Sequence, residues 1–155
     1  MERIPDNLVA LSLGRLRDVV VASPAWVAAN GLPATPYELA AHSCLLQDHN
    51  PAWEQWHFNR EGEEVSILVQ GRVRANHYST LLQLAVADMG PAKCPLMLVE
   101  PLLARGQLQL LLPEWQSALH PVHIVHAQQR RVPRKIKLFK QLLQAWFYER
   151  PHYLV

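Results

Sequence analysis

Apolar positions along this chain alternate between the two-residue period of a strand and the three- to four-residue period of a helix, and each switch falls at a turn or capping signal. Arg17 to Ala22 holds Val19, Val20 and Val21 in succession, as expected of a strand buried on both faces of a parallel sheet. Ser23-Pro24 stops that run and doubles as an N-cap and first-turn pair, so a short helix is predicted over Ala25–Asn30, closed by Gly31. Thr35-Pro36-Tyr37-Glu38 repeats the signal as a capping box and predicts a second helix that ends at His42.

Cys44–Leu46 and Gln55–Asn59 read as strands, the latter with Trp56 and Phe58 on one face. A charged tip at Arg60–Glu63 returns the chain into Glu64–Val69. Gly71 is expected to break that strand, and Arg72–Ala75 alternates charged and apolar residues like a half-exposed strand, so the stretch predicts a meander. A helix over His77–Asp88 follows, with Leu81, Leu84 and Ala85 on one face and Asn76 or Ser79 as its N-cap. Pro95–Ala104 is apolar enough for a helix that Pro101 should end or kink. Leu108–Leu112 and Pro121–Ala127 are strands. Pro133 opens a last helix with Ile136, Phe139, Leu142, Leu143 and Trp146 as one apolar stripe. Strands and helices alternate throughout, which argues an α/β architecture with helices on both faces of a mixed, mostly parallel sheet.

Composition narrows the function classes. Half of the 155 residues are hydrophobic, 18% are charged and the net charge is +2, values of a folded chain without a strongly basic character. No apolar run approaches the ~20 residues of a spanning helix, and MERIPDNLV lacks the order of a signal peptide, so the expected location is cytoplasmic and no membrane partner is expected. Cys44 and Cys94 have no close-spaced partner and read as reduced thiols.

Several segments, in this order and spacing across residues 6–143, resemble the effector-binding region of LysR-type bacterial transcriptional regulators: VVVASPAWVAANGLPATPYELAAHSCL, WHFNREGEEVSILVQGRVRAN, LAVADMGPAKCP, LLARGQLQLLLPEW and VHIVHAQQRRVPRKIKLFKQLL. The resemblance implies a periplasmic-binding-protein-like (type 2) fold whose second lobe is inserted into the first. Residues 1–22 and 120–155 would form a partial lobe one, and residues 23–119 a complete lobe two. The crossovers would place a hinge at Ala22, Ser23, Pro24, Val125 and His126. The family's winged helix-turn-helix, linker helix and first half of lobe one would lie outside this sequence, so no direct DNA contact is expected of it. The family's glycine-rich turn takes the form Asp88-Met89-Gly90-Pro91, in which Asp88 tolerates a left-handed conformation and Pro91 removes a strand donor.

The resemblance also places an effector in the cleft between lobes, against the start of the helix that follows Arg72–Ala75. The first amides of a helix lack internal partners and carry partial positive charge, which suits a carboxylate. Asn76, His77, Tyr78, Ser79 and Thr80 are therefore the candidate ligand-binding residues, for a small organic effector expected to be an anion. With part of lobe one absent, weak or no affinity is expected of this chain by itself. The family further implies a homo-oligomer.

Other signals carry less. His120, His123 and His126 sit three apart on a strand, so neighbours point to opposite faces and cannot chelate together, and no metal or cofactor is expected. Arg130, Arg131, Arg134, Lys135, Lys137 and Lys140 read as the solvated face of the last helix. Neither thiol lies in a nucleophile motif, and no glycine-rich phosphate loop is present, so the chain is read as a non-enzyme. The alternatives to an effector-sensing regulatory domain are a free-standing solute receptor and a ligand-free oligomerisation module.

Overall fold

The computed structural model describes residues 7–48, 54–117, 119–129 and 131–154, so Trp53 and Arg130 lie outside the described residues. The chain divides into two compact units, Arg17–Ala118 and a second made of Met1–Leu16 with Leu119–Val155.

The Arg17–Ala118 unit is built on a mixed sheet. Its central strand is the second half of β1, Leu8–Ala22, where Val20, Val21 and Ala22 are buried. As expected this run is covered on both faces, but it is not parallel to its neighbours. It runs antiparallel to β6, Ala92–Pro95, with Val19 opposite Cys94, and antiparallel to β7, Gln109–Leu111, with Val21 opposite Leu110. Among the described residues of this unit, parallel pairing is confined to β2, Ser43–Gln47, which lies between β5, Gln70–Ala75, and β6.

Alternation along these strands sends their side chains into two cores. Val20, Ala22, Cys44 and Leu46 face one core, and Val21, Leu45, Ala92 and Cys94 face the other. The first core is closed by α1, Pro24–Asn30, through Trp26, and by α2, Pro36–Leu39, through Leu39. It is also covered by a second sheet of β3, Gln55–Arg60, β4, Glu63–Leu68, and β8, Gln116–Ser117. The second core is closed by α3, Tyr78–Val86, through Leu81, Leu82 and Ala85, and by α4, Leu96–Ala104, through Val99. Each fully buried Leu or Val there contributes about 2 kcal/mol of transfer free energy.

Local chemistry explains most element ends. Ser23 caps α1 as predicted, its hydroxyl accepting from the Trp26 amide at 3.1 Å, and Gly31 ends that helix with φ 87°. The capping box at Thr35 does not form. Thr35 makes no side-chain cap bond, and the Glu38 carboxylate accepts instead from the Ala34 amide at 3.1 Å. Helix α2 stops at Leu39, and Ala41 and His42 continue only as three-residue turns onto Glu38 and Leu39. Pro101 neither ends nor breaks α4, which runs through it to Ala104.

The predicted meander stops after its hairpin. β3 and β4 pair antiparallel with Trp56 and Phe58 buried, but β5 leaves for the other sheet and runs parallel to β2. Gly71 sits inside β5 and does not break a strand. Register slips there, since Ser43 faces Gln70 while Leu45 faces Val73, so β5 carries one extra residue in a bulge. Asp88 adopts the left-handed conformation expected of it, φ 64°. Pro91 does not interrupt pairing, because it lacks only the N–H: its carbonyl accepts from Leu45 at 2.8 Å.

In the other unit, β9, Leu119–Ala127, pairs with β1, and the Gln128 amide donates to the Asn7 carbonyl at 2.8 Å. Helix α5, Arg134–Tyr148, starts after Pro133 as predicted, but no residue of it is buried. Ile136, Leu143 and Trp146 of the expected stripe are half-buried, whereas Phe139 is 55% and Leu142 66% exposed. The inward face is thus set by Leu143, Trp146 and Phe147, and it is fixed by the chain folding back: Trp146 stacks on Tyr153, and Arg150 lies 4.4 Å from the Trp146 ring centre.

Candidate functional site

Strands β2, β5 and β6 run the same way, so their carboxyl ends lie along one edge of the sheet, the position at which open α/β sheets hold ligands. β5 ends at Ala75, and Asn76 and His77 lead directly into α3. At the end of β2, the Asp48 amide donates to the Ala75 carbonyl at 3.1 Å, which ties the two strand ends together. β6 ends at Pro95, and Asp18 of β1 stands opposite it.

The start of α3 has no side-chain cap. Asn76 and Ser79, expected as N-caps, do not serve: the cap position is His77, in extended conformation with φ −125° and ψ 132°, and its side chain makes no cap bond. His77 accepts through its carbonyl from the Leu81 amide, as the helix requires. The amides of the first turn therefore have no internal acceptor and point out of the helix with partial positive charge. Asn76, His77, Ser79 and Thr80 are exposed around this turn, and Tyr78 is half-buried against the second core. The five sequence-predicted residues thus come together at one helix start. Ala22, Ser23 and Pro24 belong to the Arg17–Ala118 unit, at the end of β1 and the cap of α1, while Val125 and His126 belong to β9 in the other unit.

Two further groups act on Tyr78 that the sequence did not single out, and Lys93 lies beside one of them. Gln47, at the end of β2, hydrogen-bonds the Tyr78 phenol. Asp18, only 3% exposed, acts on Tyr78, Cys94 and Lys93 through its charge. Burial and the Asp18 charge push the Tyr78 phenol up to about 12, against the pull of the Gln47 bond, so it stays a neutral hydroxyl throughout the physiological range. Lys93 faces Val20 across the ladder, one diagonal step from Asp18, and its Nζ lies 5.4 Å from the Trp56 ring centre. Burial draws the Lys93 ammonium below its ordinary value and Asp18 pushes it back. A visible signal existed for both: a carboxylate inside LRDVVVA and an ammonium inside PAKCP interrupt otherwise apolar runs.

Among the described residues no three His, Cys, Asp or Glu side chains converge as a metal site. Cys44 and Cys94 are fully buried, and burial pushes both thiols up to about 12. Two outcomes follow. Native protein treated with a thiol-reactive disulfide at pH 8 is expected to label at neither cysteine, and to label at both once unfolded in urea. Both thiols and the Tyr78 phenol ionise later in the folded than in the unfolded chain. Their contribution to stability is therefore complete below pH 9 and is lost between pH 9 and 12, and urea midpoints across that window measure the loss. Lys93 opposes this with a single group, since its depressed value makes stability rise with pH below 10.5.

A mixed α/β unit with an uncapped helix start at the carboxyl ends of its parallel strands is the architecture of a small-molecule-binding domain. The comparisons give the family. Residues 2–147 match the LysR substrate binding domain, and the chain belongs to that family. It is 36% identical over 101 residues, 65% of its length, to the probable HTH-type transcriptional regulator LtrA of Klebsiella pneumoniae, and those residues cover 33% of that protein. To the HTH-type transcriptional activator AaeR of Escherichia coli it is 32% identical over 143 residues, 92% of this chain and 46% of that one. The chain therefore spans about a third to a half of the curated relatives it matches. Among solved structures, the regulatory domain of CrgA, a LysR-type transcriptional regulator from Neisseria meningitidis, superposes with a TM-score of 0.81 at 26% identity. That match covers 94% of this chain and 71% of the CrgA domain. No described helix is long and apolar enough to cross a membrane.

Proposed function

We propose that this chain is the effector-sensing part of a bacterial transcriptional regulator: a non-catalytic, cytoplasmic module that binds a small organic anion at the start of α3. The observation that carries the reading is the uncapped first turn of α3, ringed by Asn76, His77, Tyr78, Ser79 and Thr80, at the carboxyl ends of β2 and β5. Backbone amides there would hold the carboxylate, and the neutral Tyr78 hydroxyl would donate to it or to a neighbouring oxygen. The family membership and the regulators it is similar to support the same reading. The two units would correspond to the two lobes of the regulatory domain. The outgoing half of the hinge is better placed where β1 passes between units, at Leu16–Arg17, than at Ala22–Pro24, because Ala22 is fully buried in the core and Ser23 is fixed as a cap. Ligand binding acts on transcription only through differential affinity for two arrangements of the regulator, and DNA would be reached through parts outside this sequence.

Saturation-transfer NMR against a set of small carboxylates and their primary amides tests the chemical class. Acids are expected to bind, with affinities no better than millimolar, and their amides not to compete; equal binding of both would overturn the anion assignment. Self-association is part of the proposal. Leu138, Phe139 and Leu142 form an exposed apolar strip on α5, more than half of each lying in solvent. Light scattering is expected to show a dimer or larger species, and Leu142→Glu is expected to reduce its mass.

A further inference from the structure

The net charge of +2 conceals a division within the chain. Residues 119–155 hold seven Lys or Arg and one Glu, whereas residues 17–118 hold six against ten Asp or Glu. Such asymmetry between parts of a chain marks a surface that meets a charged partner. The cations gather where α5 starts. Arg134, Lys135 and Lys137 are exposed within its first four residues, where the helix dipole is itself positive and disfavours them. Among the described residues none of the three has an ion pair, and Glu149, the one acid of residues 119–155, pairs with Arg150.

Arg134, Leu138 and Leu142 follow one another at four-residue steps and form a single row along α5, charged at one end and apolar at the other. Leu138 is 53% and Leu142 66% exposed. A converse row lies on β4, an edge strand of the three-stranded sheet. Val65 and Ile67 are buried, so Glu64, Ser66 and Leu68 point outward, and Leu68 is 61% exposed. Glu61, Glu63 and Glu114 stand around the same hairpin tip, where Arg60 pairs with Glu63 and Glu114 and leaves an acidic excess. The two rows match in length. Four steps of strand from Glu64 to Leu68 span about 13 Å, and eight steps of helix from Arg134 to Leu142 span about 12 Å.

We propose that a second copy of this chain covers the exposed row of α5, and that it docks by the outer face of β4, with Glu64 against Arg134 and Leu68 against Leu142. The proposal rests on the self-association of the chain and names the surface that meets α5. A nucleic acid or an anionic lipid surface would match the cations, but the acidic excess of residues 17–118 repels both. A phosphate backbone also offers nothing to Leu138 and Leu142. Each copy carries both rows, so the contact is either reciprocal within a dimer or continued from copy to copy. Its ion pairs set partner and register more than affinity.

The test is sedimentation velocity over a concentration series for the full chain, Glu64→Lys, Arg134→Glu and an equimolar mixture of the two variants. Both side chains are exposed, and a carboxylate at position 134 suits the helix dipole, so neither change is expected to disturb the fold. Each single reversal is expected to weaken association about tenfold, since repulsion replaces attraction. Mixing is expected to restore it, because Arg134 of one variant then meets Glu64 of the other and the two reversed positions meet each other. Should either variant fail to fold, the parent alone decides: its association is expected to weaken as salt rises from about 0.05 to about 0.5 M, and association that holds or strengthens would overturn the charge pairing. Single variants that associate like the parent, or that do not recover on mixing, would overturn the docking of β4 on α5 while leaving self-association in place. A parent that is monomeric at every concentration would overturn self-association itself. If that monomer were retained by duplex DNA or phosphatidylserine vesicles, and Arg134→Glu were not, the row would belong to that partner and the proposal would fall.

Discussion

Gly71→Ala is expected to destabilise the fold by about 4 kcal/mol or more. A Cβ at this position would lie 1.8 Å from the Cys44 carbonyl oxygen and 2.9 Å from its carbon, both backbone atoms of the neighbouring strand. That strand is held by parallel pairing on both sides, so relief would require parting β2 from β5 at the bulge. Overlap with backbone in a buried sheet belongs to the small set of changes that cost about 4 kcal/mol or more, against a total stability of about 5–15 kcal/mol. Gly31→Ala is the control. Gly31 also has a positive φ, 87°, but nothing lies within 4 Å of its added Cβ, so only backbone strain of about 1–2 kcal/mol is expected. Urea midpoints of the three proteins decide the matter, and a Gly71→Ala variant within about 1 kcal/mol of the parent would show that β2 and β5 are not paired as described.

Ser79→Asp is expected to separate stability from binding. Ser79 is the second residue of α3 and is exposed, so a carboxylate there meets the free first-turn amides. Stability should rise by about 0.3–1 kcal/mol from the charge–dipole term. Affinity for a carboxylate ligand should fall by about tenfold or more, because a fixed negative charge at ~4 Å repels the ligand by 1–4 kcal/mol in partly aqueous surroundings. Ser79→Lys reverses both signs. Thermal melts with and without the acids found in the NMR screen give both quantities in one experiment, and parallel changes in stability and affinity would sink the assignment of these amides to the ligand.

The elements were legible in the sequence where a local rule fixed them. Ser23 and Pro24 announced α1, Trp56 and Phe58 set the buried face of β3, and Pro133 opened α5. Position 88 was readable because aspartate is among the few side chains that enter the left-handed region. What escaped was long-range pairing. Nothing local to Gly71 says that β5 leaves its hairpin to lie beside β2, and the residue that requires glycine there is Cys44, far away in the chain. Capping by Asn76 or Ser79 was expected from residue type, but the backbone places His77 at the cap, so both side chains remain on the surface. The stripe of α5 is apolar in the sequence, yet pattern alone does not say that Phe139 and Leu142 face outward. Asp18 and Lys93 are hidden in the sequence because the apolar runs around them dominate the pattern. The reach of Asp18 to Tyr78 comes from strand order, β2 beside β6 beside β1, which no short window contains.

Backbone amide NMR tests the central claim most directly. With the ¹⁵N-labelled chain titrated with an acid selected in the NMR screen, the account predicts that the Tyr78, Ser79 and Thr80 amides move furthest, downfield, with the Gln47 side chain following. Largest shifts elsewhere, with those three amides still at saturation, would contradict it.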